Sequence, residues 1–186
     1  LLAEALAPGA TGGSLSVEAF ALYTAAERAA GPEPDAAVDL YGQAVALART
    51  AGASFVERVA SVGLVRLWAA RGDTARALAG YRRLVDDWRR SGHWIQLWTT
   101  LRNLVGPLAE AGQARAAALV LAAADRAPEA ALVTVPEVAA ELAGLAERLA
   151  AELGPDAMRA IGLAAAERSR AQVLEEALAA IDAALA

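Results

Sequence analysis

With 186 residues, 57% of them apolar, the chain is long enough to bury one sizeable core, and 17 basic against 22 acidic residues leave it mildly acidic. It contains no cysteine, which excludes a disulfide framework and a thiolate metal site, and no lysine, which excludes a GxxxxGK[ST] phosphate loop. Charged residues interrupt every apolar run well short of the ~18 residues a membrane helix needs.

The chain begins at Leu1 with no signal-peptide pattern, and we read it as part of a larger protein. Leu1 to Ala7 reads as the end of a helix. The Gly-rich PGATGGSLS (Pro8 to Ser16) reads as a connector, with Ser14 or Ser16 suited to cap the next helix. Gly9, Gly12 and Gly13 follow no strand, so they read as linker and not as a phosphate-binding turn. Val17 to Ala30 is helical. Gly31-Pro32-Glu33-Pro34 makes a rigid turn, after which Asp35 can cap a helix reaching Thr50. Ser54, as cap, opens a helix to Arg71 with a wide apolar face (Val56, Val59, Leu64, Val65, Leu67, Trp68). A tight turn at Gly72-Asp73 leads into Asp73 to Arg90. There Ala77, Tyr81, Leu84, Val85 and Trp88 form a stripe at spacings of three and four, opposite a strongly charged face.

His93 to Ala111 repeats that spacing through Trp94, Trp98, Leu101, Val105 and Leu108. Gly106-Pro107 predicts a kink or local break, because proline removes one backbone donor and clashes with the preceding turn. Gln113 to Arg126 is a short Ala-rich helix. Pro128 to Pro136 (PEAALVTVP) interrupts the period. Three helices follow, Pro136 to Leu153, Asp156 to Ser169 and Arg170 to Leu185. The last places Val173, Leu174, Ala177, Leu178, Ile181 and Leu185 on one side, as a capping helix would. The chain thus divides into an end of helix and linker (1–16), helical hairpins (17–127) and irregular C-terminal helices (128–186).

Shifting the chain by forty residues brings its landmarks back into register: Ala37, Ala77 and Ala117; Tyr41, Tyr81 and Leu121; Gly72 and Gly112; Gly52 and Gly92. A small residue lets two helices approach, and a large apolar residue four positions later fills the gap on the same face. This pattern resembles the tetratricopeptide repeat. Leu64, Trp68, Gly72, Ala77, Tyr81 and Leu84 carry it in one unit, and Leu104, Leu108, Gly112, Ala117 and Leu121 in the next. The resemblance implies an all-α, tetratricopeptide-like helical-hairpin solenoid of about nine helices. More narrowly, Ala77 to Ala124, and above all DWRRSGHWIQLWTTLRNLV (Asp87 to Val105), is similar to the C-terminal helical-repeat region of large actinobacterial signalling ATPases. Those proteins join a nucleotide-binding module to a transcription-factor or nucleotidyl-cyclase module. That similarity implies a sensor or autoinhibitory arm contacting protein or a small inducer, with catalysis located elsewhere.

No residue pattern points to catalysis. One histidine cannot make a multi-His metal site, and His93 lacks a nucleophile motif. Asp86 and Asp87 diverge by about 100° on a helix, so they do not pair. Catalytic, metal and cofactor sites are therefore expected to be absent. The basic charge concentrates in residues 49–126, twelve arginines against six acids, between acidic ends. With Trp88, Trp94 and Trp98 nearby, this predicts a protein-binding groove formed by the first helix of each hairpin. Arg66, His93, Gln96 and Arg102 are the candidates for its lining. The expected partner is another protein or another domain of the same parent, in the cytoplasm, with no nucleic acid and no membrane. The alternative is a small-molecule sensor whose pocket opens at Gly106-Pro107.

Overall fold

The computed structural model describes residues 14–127 and 136–186. The expected helix end at Leu1 to Ala7, most of the Gly-rich connector, and nearly all of Pro128 to Pro136 lie outside these residues. Among the described residues the protein is all-α, with nine helices and no strand. They are α1 (Leu15–Ala29), α2 (Pro34–Thr50), α3 (Ser54–Ala70), α4 (Thr74–Ser91), α5 (Trp94–Glu110), α6 (Ala114–Arg126), α7 (Pro136–Leu153), α8 (Pro155–Glu167) and α9 (Arg170–Leu185).

The turns follow from glycine. Gly52, Gly72, Gly92 and Gly112, twenty residues apart, all take positive φ, a conformation that costs a residue with a Cβ about 1–2 kcal/mol. At Gly52, Gly92 and Gly112 two hydrogen bonds close the turn. At Gly112, for example, its own N–H reaches Ala109 O (3.0 Å) and the Gln113 N–H reaches Leu108 O (2.8 Å), the Schellman arrangement. Gly31 does not take positive φ; Pro34 sets that turn instead. Pro34 is the first residue of α2, so Glu33 and not Asp35 occupies the cap position. Ser54 is likewise the first helical residue and Ala53 precedes it. Neither helix has a side-chain cap bond.

The chain forms two compact units, one ending at Gly72 and one beginning at Asp73. In the first, α2 packs between α1 and α3, and α1 also touches α3. Its core is Ala26, Ala37, Tyr41, Ala44, Ala60 and Leu67, with Leu22, Tyr23 and Leu64 packed around it. Tyr41 is fully buried, and its hydroxyl donates to Glu27 Oε1. Burial, that hydrogen bond and the Glu27 charge all push the Tyr41 pKa up, while the Arg66 charge opposes them. The ring fits because Gly63 faces it. A Cβ at Gly63 would lie 2.6 Å from Tyr41 Oη and overlap two ring carbons.

In the second unit α4, α5 and α6 pack in succession, the hairpin arrangement of a solenoid-like fold. The stripe Ala77, Tyr81, Leu84, Val85 and Trp88 is buried as the spacing requires. α6 is enclosed by α5, α7, α8 and α9, and most of its residues are buried. α5 runs unbroken through Pro107, which is itself buried; the helix tolerates the missing donor and does not break at Gly106-Pro107. The C-terminal helix α9 folds back, with Val173, Leu174, Ala177 and Ile181 buried against α4, α5 and α6. Arg82 on α4 grips Asp182 on α9 with two bonds, Nε to Oδ1 at 2.6 Å and Nη2 to Oδ2 at 3.2 Å.

Candidate ligand cavity and interaction groove

Among the described residues of the second unit, a groove and a smaller cavity share Arg168, on the short link between α8 and α9. α8 ends at Glu167. Arg168 is extended, and Ser169 caps α9 in a reciprocal capping box. The Ser169 N–H donates to Gln172 Oε1 at 2.8 Å, and Ser169 Oγ accepts from the Gln172 N–H at 3.4 Å. This link fixes Arg168 and Arg170 on either side of the cap.

The smaller cavity, about 160 Å³, is bounded by Trp98, Arg126, Arg168, Arg170, Val173 and small side chains of α6 and α8. Trp98 is only 3% exposed, and its indole Nε1 is buried with no hydrogen-bond partner among the described residues. Leaving such a donor unpaired costs about 1–3 kcal/mol. Arg168 donates through Nε to Glu176. The Arg170 guanidinium carbon sits 5.4 Å from the centroid of the Trp94 ring, within cation–π range.

The larger is an open groove of about 650 Å³ between α6, α8 and α9, lined mainly by Ala116, Leu119, Ala160, Ile161, Ala164 and Ala180. Gln113, Arg115, Arg168 and Glu176 supply its polar groups. Small walls of this kind admit a close-packing helix or extended chain.

None of Arg66, His93, Gln96 and Arg102 lines either of these two concavities. Arg66 is exposed on α3 in the first unit. His93 caps α5, its Nδ1 2.9 Å from Ser91 Oγ and its ring 5.6 Å from that of Trp88. Gln96 and Arg102 share α5 but, six residues apart, diverge by about 120°. Of the three clustered tryptophans, Trp88 and Trp98 are core and Trp94 is 36% exposed. The basic stretch is also less open than its composition implies. Arg49, Arg71, Arg76, Arg82, Arg89 and Arg90 each pair with a nearby acid.

No protein-family model, curated protein or solved structure matches this chain. Among the described residues no three His, Asp or Glu side chains gather as a metal site requires, and no helix is long and apolar enough to cross a membrane. The second unit thus presents a groove walled mainly by small apolar side chains and a cavity bounded by Trp98 and three arginines.

Proposed function

We propose that the chain is a protein-interaction and regulatory arm of a multidomain signalling protein, a transcriptional regulator whose ATPase module lies in another part of the protein and which works in the cytoplasm. The observation that carries this is the open α6–α8–α9 groove of about 650 Å³, walled mainly by small apolar side chains. Leu163, 64% exposed on the neighbouring face of α8, adds apolar contact area. The test is a pull-down with the 186-residue chain as bait against the nucleotide-binding and output modules that this reading assigns to the parent. Ala160→Arg and Ala183→Arg would block the groove from exposed positions. Capture of a module, lost in both variants while helicity is retained, supports the reading. Capture unaffected by either variant, or none at all, sinks it.

A second reading, a small-molecule sensor, draws on the cavity at Trp98. That cavity lies eight residues before Gly106, about 12 Å along α5. Its test is a thermal-shift series with neutral and charged compounds of metabolite size. A ligand at a hundred times its dissociation constant contributes about 2.7 kcal/mol, which is several degrees for a chain of this length. A melting temperature that no compound raises ends this reading.

A further inference from the structure

We infer that this chain exchanges α9 with a second copy of itself, by straightening the α8–α9 link into one continuous helix. The inference goes beyond the interaction-arm reading and does not depend on it. Every other link between consecutive helices contains glycine or proline: Gly31, Gly52, Gly72, Gly92, Gly112, Pro128 and Gly154. The α8–α9 link, Arg168-Ser169, contains neither. Its flanks, Ala164 to Glu167 and Arg170 to Gln172, are strong helix formers. What stops the helix is the capping box, with Arg168 (ψ 138°) and Ser169 (ψ 159°) extended. A helix run through the link would give the first N–H groups of α9 and the last carbonyls of α8 partners inside the helix. Local preference and tertiary packing therefore disagree at this link.

The packing around the link lets it open. α9 packs on α4, α5 and α6, whereas α8 packs on α6 and α7, and the open groove lies between the two. Opening thus breaks little contact between α8 and α9. It gives up the Ser169 cap and the pairing of Arg168 with Glu176, which would lie about 12 Å apart along a straight helix. That pair is partly exposed and contributes little. A straight helix from Pro155 to Leu185 is about 45 Å long, and it carries α9 out of its own seat. Val173, Leu174, Ala177 and Ile181, buried against α4, α5 and α6, then need another. A second copy supplies an identical one. Two chains that exchange α9 re-form the same apolar contacts, and the Arg82–Asp182 pair, across copies.

The test refolds the 186-residue chain from denaturant at low and at high protein concentration and reads its mass by size-exclusion chromatography with light scattering. The expected result is a species of twice the monomer mass, its share rising with concentration. Ser169→Ala removes the cap from both chains and should raise the dimerisation constant at least about tenfold. Arg170→Pro should abolish the dimer. Proline suits the first position of α9, after a residue as extended as Ser169, but forbids a helix through the link. The chain has no cysteine, so Arg82→Cys and Asp182→Cys chains refolded as a mixture show whose α9 fills whose seat. A short bis-maleimide should join the two different chains in the dimer, because exchange sets residue 82 of one beside residue 182 of the other. Should either link variant fail to fold, the cross-link in the mixture still decides. Monomer mass at the highest concentration, in the unaltered chain and in Ser169→Ala alike, overturns the exchange. So does a dimer that Arg170→Pro leaves intact, or one that the reagent does not join.

Discussion

Gly63→Ala should destabilise the protein, although alanine is the better helix former. In an open helix interior the exchange stabilises by about 1 kcal/mol. Gly42, in α2, is such a place: a Cβ there meets nothing within 4 Å. At Gly63 the same methyl would overlap Tyr41, lying 2.6 Å from its Oη and closer still to two ring carbons. The ring must swing out, because Tyr41 is fully buried among three helices. Overpacking of this kind costs about 1–3 kcal/mol, and direct overlap with ring atoms puts it near 3. Subtracting the propensity gain leaves a net loss of about 2 kcal/mol, or a fall in melting temperature of roughly 4–8 °C. Urea and thermal melts followed by circular dichroism measure both variants. Gly42→Ala should rise by about 1 kcal/mol as Gly63→Ala falls. In a Tyr41→Ala background, Gly63→Ala should lose its penalty and become mildly stabilising. A Gly63→Ala protein as stable as the parent would refute the steric argument. A penalty that persists without Tyr41 would place the clash elsewhere.

Four further outcomes are expected. Tyr41 has its pKa raised in the folded state, so folded protein holds that proton more tightly than unfolded chain does. Its stabilising contribution is complete below the unfolded value near 10 and declines as pH rises past it, by at most about 1.4 kcal/mol per pH unit; Tyr41→Phe should flatten the alkaline limb of a stability–pH curve. Ile181→Ala should cost about 2–5 kcal/mol because Ile181 is fully buried in the α9 contact. Asp182→Ala, one residue on, should cost far less, and the loss should fade with added salt, since its pair with Arg82 is exposed; equal losses in denaturant melts would show that the ion pair, and not the apolar seam, holds α9. Ser169→Ala should cost about 1 kcal/mol through loss of the capping box, seen as faster amide exchange in the first turn of α9.

The helices and their turns were legible in the sequence because both rest on local rules. The stripe of α4 follows from spacings of three and four, and the glycines at 52, 72, 92 and 112 mark positions that need positive φ. The cap residues at α2 and α3 were misplaced by one or two positions, since proline pre-sets the first turn and Ser54 lies just inside its helix. The contact between Gly63 and Tyr41 left no local signal, for a mid-helix glycine looks the same whether it faces solvent or a ring. The Trp98 cavity was illegible for a related reason. Its indole sits in the tryptophan-rich stretch, yet its guanidinium groups come from Arg126 at the end of α6 and from Arg168 and Arg170 on the α8–α9 link.

The pairing of Arg82 with Asp182 closes a loop a hundred residues long. In a strict repeat array each hairpin gains its stability from its neighbours, so folding starts anywhere and spreads. The first unit has that local character. The second does not, because the seat for α9 is built by α4, α5 and α6 long before α9 is synthesised. Loop closure over that distance adds entropy cost and lowers the folding rate. During synthesis the second unit leaves apolar faces of α4 and α6 uncovered until α9 arrives. That interval is when the second unit is most exposed to aggregation and to chaperones, and a ribosome stalled before residue 170 would leave the chain there.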